Sequence, residues 1–232
     1  MEIQKRIASK SKPVIHTGPY NKYNDSEQWV RLSSGCPNNC PFCYEPEEPA
    51  LYDCPQIVRN QVKIMDMNFL AYRGRPITFE FLRRQRVGGK VVYYELVCGI
   101  DWRYLTLEIG RSLKRSRFIN IRLAWDFGFN NQTKIKRALQ MLEKAGYASR
   151  DITIFIICNW KIPYSENCEK LDLCKVWRVK VADCYFDNQL SPLIAPINWT
   201  DREIKRFRAK VRRHNHLVRY LGNPDIKEQG AE

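Results

Sequence analysis

Residues 91–99 read Val91-Val92-Tyr93-Tyr94-Glu95-Leu96-Val97-Cys98-Gly99. A nearly continuous apolar run of this length, closed by glycine, has the character of a strand buried on both faces. Such strands occur in parallel sheets covered by helices. The flanking sequence repeats the pattern. Upstream, Gln61–Asp66 reads as a strand, and Pro76 opens a helical stretch that stops at Gly88-Gly89. Downstream, Thr106 can cap a helix reaching Arg117, and the strand Ile119–Trp125 follows and ends at Asp126.

Ile135, Ala138, Leu139 and Leu142 recur at helical spacing before Gly146. Ile152–Cys158 is a β-branched strand, Ser165 can cap a helix through Trp177, and Val179–Tyr185 is a sixth strand. The last helix starts with a capping box, Thr200 with Glu203, and runs to about Arg219. Nearer the N-terminus, Gln28–Ser33 alternates like a strand, and a short helix is expected from about Asp53 to Asn60.

Six strand-helix units imply an α/β protein with parallel strands. A full eight-unit barrel takes about 250 residues, and this chain has 232. The expectation is a partial, open TIM-type barrel of about six β-α units with its helices outside. A doubly wound open sheet is the alternative. Both place ligands at the C-terminal ends of the strands. Residues 1–27 read as a polar lead-in, 28–222 as the barrel domain, and 223–232 as a frayed tail.

The net charge of +14 favours phosphate-bearing partners as well as solubility. No signal peptide or membrane-length apolar run is evident. The expected compartment is the cytoplasm, with no membrane association, where nine cysteines do not read as disulfides.

The most specific chemical signal follows the first strand: Gly35-Cys36-Pro37-Asn38-Asn39-Cys40-Pro41-Phe42-Cys43-Tyr44. Structural zinc needs four ligands, and this loop brings three, with Cys54 isolated. Three thiolates around a four-iron cube leave one iron open, as a catalytic metal requires. A zinc-stabilised, basic nucleic-acid-binding module and a non-catalytic iron–sulfur protein are the alternatives.

Cys36-x3-Cys40-x2-Cys43 after a first strand, with the aromatic Phe42 before the third cysteine, resembles the radical S-adenosylmethionine superfamily. Segments Ile64–Leu70, Gly99–Arg103, Ile121–Asp126, Ile154–Trp160 and Asp183–Asn188 extend the resemblance to short bacterial and phage-type members. The resemblance implies a four-iron, four-sulfur cluster on Cys36, Cys40 and Cys43, with the fourth iron chelating S-adenosylmethionine. Reductive cleavage would give a 5′-deoxyadenosyl radical that abstracts hydrogen from a substrate the sequence does not identify. It also implies an electron donor of flavodoxin or ferredoxin type.

Many members carry Gly-Gly-Glu after the second strand. Here Asp66-Met67-Asn68 stands there, and Asp66 or Asn68 is expected to accept from the cofactor's ammonium. Asp101 and Arg103 either hold the cofactor's ribose and carboxylate or form a capping ion pair. Asp126 is expected to contact cofactor or substrate, with Arg122 as its pairing partner. Asn159, Trp160, Tyr185, Asp187 and Asn188 are further candidate wall or substrate contacts. Cys98, Cys158 and Cys184 read as small buried residues. The basic clusters at helix C-termini follow the macrodipole, so a nucleic-acid substrate is not favoured.

Overall fold

The structure is a computed structural model describing residues 18–43, 45–185 and 199–220. Asp187, Asn188 and the expected tail lie outside those residues. In chain order the first strands are β1 (Tyr20–Tyr23), β2 (Gln28–Arg31), β3 (Ser33–Ser34), β4 (Ala50–Leu51) and β5 (Gln61–Ile64). Helices α1 (Phe69–Arg73) and α2 (Pro76–Arg84) follow, then β6 (Arg86–Val87), β7 (Lys90–Val91) and β8 (Tyr93–Leu96). The second half holds α3 (Leu107–Arg115), β9 (Arg122–Trp125), α4 (Gln132–Lys144) and β10 (Thr153–Cys158). It closes with α5 (Tyr164–Val176), β11 (Lys180–Tyr185) and α6 (Asp201–Tyr220).

The expected contiguous barrel does not form among the described residues. The strands divide into a mixed sheet of order β1-β2-β5-β8 and a parallel sheet of order β11-β10-β9, with two small antiparallel pairs, β3-β4 and β6-β7. Between β8 and the segment leading into β9 there are only the isolated bridges Tyr94–Phe118 and Ile100–Leu123. The physical reason lies in Arg122. Its guanidinium donates to the Val97 carbonyl at 2.9 Å and pairs with Glu95, so side chains occupy the place of a ladder. Arg117 and Asn120 also turn the chain there, with φ of 61° and 51°.

The apolar alternation nonetheless builds the core. Val30, Ile64 and Leu96 stand in one row across β2, β5 and β8, all buried. Tyr94 lies against Phe118 at 5.4 Å, and Phe69, Phe79 and Phe118 pack mutually at 5.7–6.1 Å. Burying such a ring contributes roughly 1.5–3 kcal/mol. The Tyr94 hydroxyl donates to the Leu82 carbonyl at 2.9 Å, which satisfies the polar tip. In the second sheet, Leu123, Ile154 and Val181 are buried, and Ile135, Ala138, Leu139 and Leu142 form the buried face of α4.

Local differences have local causes. β1 arises in the expected lead-in and pairs antiparallel with β2 as an edge strand. The segment expected to be helical from Asp53 to Asn60 contains no helix. Helix α2 stops at Arg84, and Gly88-Gly89 instead form the turn between β6 and β7. The Thr200–Glu203 capping box is present, with the Thr200 amide donating to Glu203 at 2.7 Å and the Glu203 amide to Thr200 Oγ1 at 3.3 Å. No helix among the described residues is long and apolar enough to cross a membrane.

Candidate functional site

The cysteine loop leaves β3 and returns into β4, so that antiparallel pair clamps its ends. Gly35 opens the loop with φ +88°, and a Cβ there would overlap the backbone of Glu48. Its amide donates to the buried carboxylate of Glu45 at 2.7 Å. The Cys36 amide donates to the Pro46 carbonyl at 2.8 Å, and the Cys43 amide to the Cys40 carbonyl at 2.9 Å. Asp66 secures the stem from below. It is 1% exposed and accepts from the Leu32 amide at 2.8 Å and Ser33 Oγ at 2.5 Å. Burial nevertheless pushes its carboxyl up to about 6, against those hydrogen bonds and the nearby Arg73.

Cys36, Cys40 and Cys43 line one cavity of about 110 Å³, beneath the C-terminal ends of β5, β8 and β9. Phe42, Asn68, Asp101, Arg103 and Asp126 line it too; Asp66 does not. All nine cysteines are free thiols. Each loop sulfur has its own N–H donor. Asn68 Nδ2 reaches Cys36 Sγ at 3.4 Å, the Glu45 amide reaches Cys43 Sγ at 3.4 Å, and the Arg103 guanidinium donates to Cys40. Burial raises the Cys40 thiol, while the Arg103 hydrogen bond and charge oppose that rise.

The polar wall is tied together. Asp101 accepts from the Arg103 amide at 3.0 Å and Arg103 Nε at 2.8 Å. Its other oxygen takes Asn38 Nδ2 in a short bond, and Asn68 Nδ2 at 3.4 Å. Asp101 and Arg103 therefore form an ion pair that is itself part of the cavity wall. Asn68 Oδ1 is buried and has no partner. Both acceptors facing Asn68 Nδ2 fix the amide's orientation, so the orphan is an acceptor.

Asp126 is half-buried, and Lys170 and Arg103 act on it by charge without a hydrogen bond or ion pair among the described residues. Burial raises its carboxyl to about 6, countered by Lys170, reinforced by Asp101 and countered again by Arg103. The expected Arg122–Asp126 pair is absent because Arg122 is committed to Glu95. Phe127 follows Asp126 and stands 5.8 Å from Phe42, with the Arg103 guanidinium 5.7 Å from its ring centroid. Behind it, the fully buried Lys170 of α5 donates to the Phe127 carbonyl at 2.7 Å.

Other candidates fall elsewhere. Trp160 packs 6.0 Å from Phe42 as buried support for the wall. Tyr185 meets Arg208 of α6 at 4.2 Å and does not line the cavity. Cys158 is fully buried. Cys98 does line the cavity, with burial pushing its thiol to about 12. Two larger cavities, about 310 and 230 Å³, lie along α5 and α6 around Lys175, His214 and Leu217, sharing no residue with the cysteine cavity. Sequence reasoning missed Glu45, Asn38 and Phe127. Asn38 lies inside the quoted loop and Phe127 follows Asp126, while Glu45, one residue past the loop, has no distinguishing pattern.

Among the described residues, no group of three or more His, Cys, Asp or Glu side chains is gathered tightly enough to hold a metal ion. A single zinc ion needs sulfurs about 2.3 Å from one centre. A four-iron cube is an extended body with one thiolate on each of several corners. Three reduced thiols around one cavity, each facing an N–H donor, suit that donor set. No protein-family model and no curated protein matches the chain.

Proposed function

We infer that this chain is a radical S-adenosylmethionine enzyme, with Cys36, Cys40 and Cys43 as the ligands of a four-iron, four-sulfur cluster. The observation that carries the reading is the convergence of these three thiols with Asn68, Asp101, Arg103 and Asp126 on one cavity. When bound and reduced, such a cluster supplies the electron for cleaving S-adenosylmethionine to a 5′-deoxyadenosyl radical, which abstracts hydrogen from substrate.

The chain's own residues have definable parts. Asn68 Oδ1, buried without a partner, is an acceptor for an ammonium. Arg103 presents cationic charge to a carboxylate while Asp101 holds it in place. Asp126 offers a carboxylate free to accept from hydroxyl or amine donors. Phe42 and Phe127 pack together and shield that side of the cavity from water. Asp66 supports the loop stem rather than a ligand. The reading also requires a one-electron donor of flavodoxin or ferredoxin type.

The test is anaerobic reconstitution followed by metal analysis and reduction with S-adenosylmethionine present. The expected result is about four irons per chain and release of 5′-deoxyadenosine, both lost in Cys40→Ala. If the alanine variant keeps its iron and its turnover, the reading fails. One observation favours a second reading: Cys98 lines the same cavity, so four thiols border it. A closed zinc site would give stoichiometric zinc without iron, and loss of that zinc in Cys98→Ala.

A further inference from the structure

The strands alternate, so the residues between the buried positions of β2, β5 and β8 share the opposite face. On that face Trp29, Lys63 and Glu95 stand in one row, and Arg31 lies one row nearer the cysteine loop. The charges here are unequal. Glu95, only 3% exposed, pairs with both Lys63 and Arg122 and accepts from Asn120 Nδ2 at 3.2 Å. Glu27 gives Lys63 a second carboxylate at 3.6 Å. Lys22 of β1, opposite Trp29, lies over the Tyr20 ring, while Arg31, Lys63 and Arg122 face two carboxylates that Lys63 and Arg122 take up.

Arg31 is the cation left over. It is half-buried in the strand, yet no hydrogen bond, ion pair or ring contact engages its guanidinium among the described residues. A guanidinium carries five donors in a fixed fork, and keeping it partly desolvated without a counterion is costly. Its position is also specific. The Met65 amide donates to the Val30 carbonyl at 2.9 Å, and Cys98 Sγ lies 3.6 Å from the Met65 carbonyl. Arg31 itself does not line the cysteine cavity, but the face reaches it through Ala124, which shares its side of β9 with Arg122 and does line it.

We propose that Arg31 is a specificity-determining residue that binds an oxyanion of the substrate, a carboxylate or a phosphate, on the strand face bordering the cysteine cavity. The fork suits bidentate recognition of either group. Pairing would complete the charge balance of the Lys63–Glu95–Arg122 row and leave the rest of the substrate directed toward the cavity. The proposal rests on the cysteine cavity being the reaction centre, but binding at Arg31 needs no metal.

The test uses iron-free full-length protein titrated separately with inorganic phosphate and acetate, followed through the amide resonances of Met65 and Cys98. The wild type should bind at least one anion saturably. Arg31→Met should weaken that binding about tenfold or more, whereas Arg31→Lys, which keeps the charge and guards against misfolding, should weaken it less. Arg111→Gln, exposed on α3, should bind like wild type. Preference for phosphate or acetate identifies the substrate group, and equal binding shows that the site reads charge alone. No saturable binding, or equal affinity in wild type and Arg31→Met, overturns the proposal. The two readings are scored apart: if Cys40→Ala keeps iron and turnover, the cluster reading falls while anion binding by the wild type and its loss in Arg31→Met still stand.

Discussion

Gly35→Ala tests how the cysteine loop is held. With φ +88° the residue sits in the left-handed region, which costs an L-residue about 1–2 kcal/mol. The new Cβ would also overlap the Glu48 carbonyl oxygen, and would lie 2.8 Å from that carbonyl carbon and 2.9 Å from Pro49 Cα. Those atoms are backbone, so no side-chain rotation relieves the overlap, and overpacking adds about 1–3 kcal/mol. The expected destabilisation is about 2–5 kcal/mol, or roughly 4–20 °C in Tm at this chain length. Gly88→Ala calibrates the measurement. Its φ is +54° and nothing lies within 4 Å of the added Cβ, so it carries the backbone cost alone. Urea denaturation of both variants, read by circular dichroism, gives the difference. If Gly35→Ala falls within about 0.5 kcal/mol of Gly88→Ala, the close approach of residues 35 and 48 does not constrain the loop.

Glu95→Gln removes the carboxylate shared by Lys63 and Arg122 and should cost about 3–5 kcal/mol in chemical denaturation; a loss under about 1 kcal/mol would show the cations re-pair freely. Asp66 gives a pH signature. Its folded carboxyl is raised to about 6 from 3.8, so between those values the folded state binds more protons than the unfolded one. Stability should therefore fall as pH rises through that window, by at most about 3 kcal/mol from Asp66, and Asp66→Asn should make the slope shallower, with Asp126, raised likewise to about 6, supplying the remainder. Flat stability in the wild type would contradict the assignment. Finally, Cys98→Ser should keep the iron that Cys36→Ala, Cys40→Ala and Cys43→Ala lose, as measured by iron content per chain; loss of iron in Cys98→Ser would make it a ligand.

The apolar runs located the strands well, because β-branched and aromatic residues leave a local pattern. β10 falls within Ile152–Cys158, whereas the run Val91–Cys98, expected as one strand, splits between β7, which pairs with β6, and β8. How those strands divide between sheets was not legible. Glu95 hides inside an apolar run, and its pairing with Arg122 depends on residues distant in sequence. The expected Arg122–Asp126 pair used correct strand parity but ignored this competing carboxylate. In the site, cysteine spacing was local and readable. Asp66 and Asn68 were not separable in sequence, although one lies under the loop stem and the other in the cavity. Lys170 reads as an ordinary helix lysine, and only its placement behind Phe127 gives it a role.

The junction between the two sheets bears on motion. The ladders β2-β5-β8 and β9-β10-β11 are continuous, whereas only single bridges at Tyr94 and Ile100, with side-chain bonds, join them. Sub-global openings follow such weak boundaries. The amides of Ile100 and Ala124 should exchange with deuterium ahead of those inside β10. The cysteine loop belongs to the first half and Asp126 to the second, so an opening at this junction would alter the cavity's width without unfolding either half.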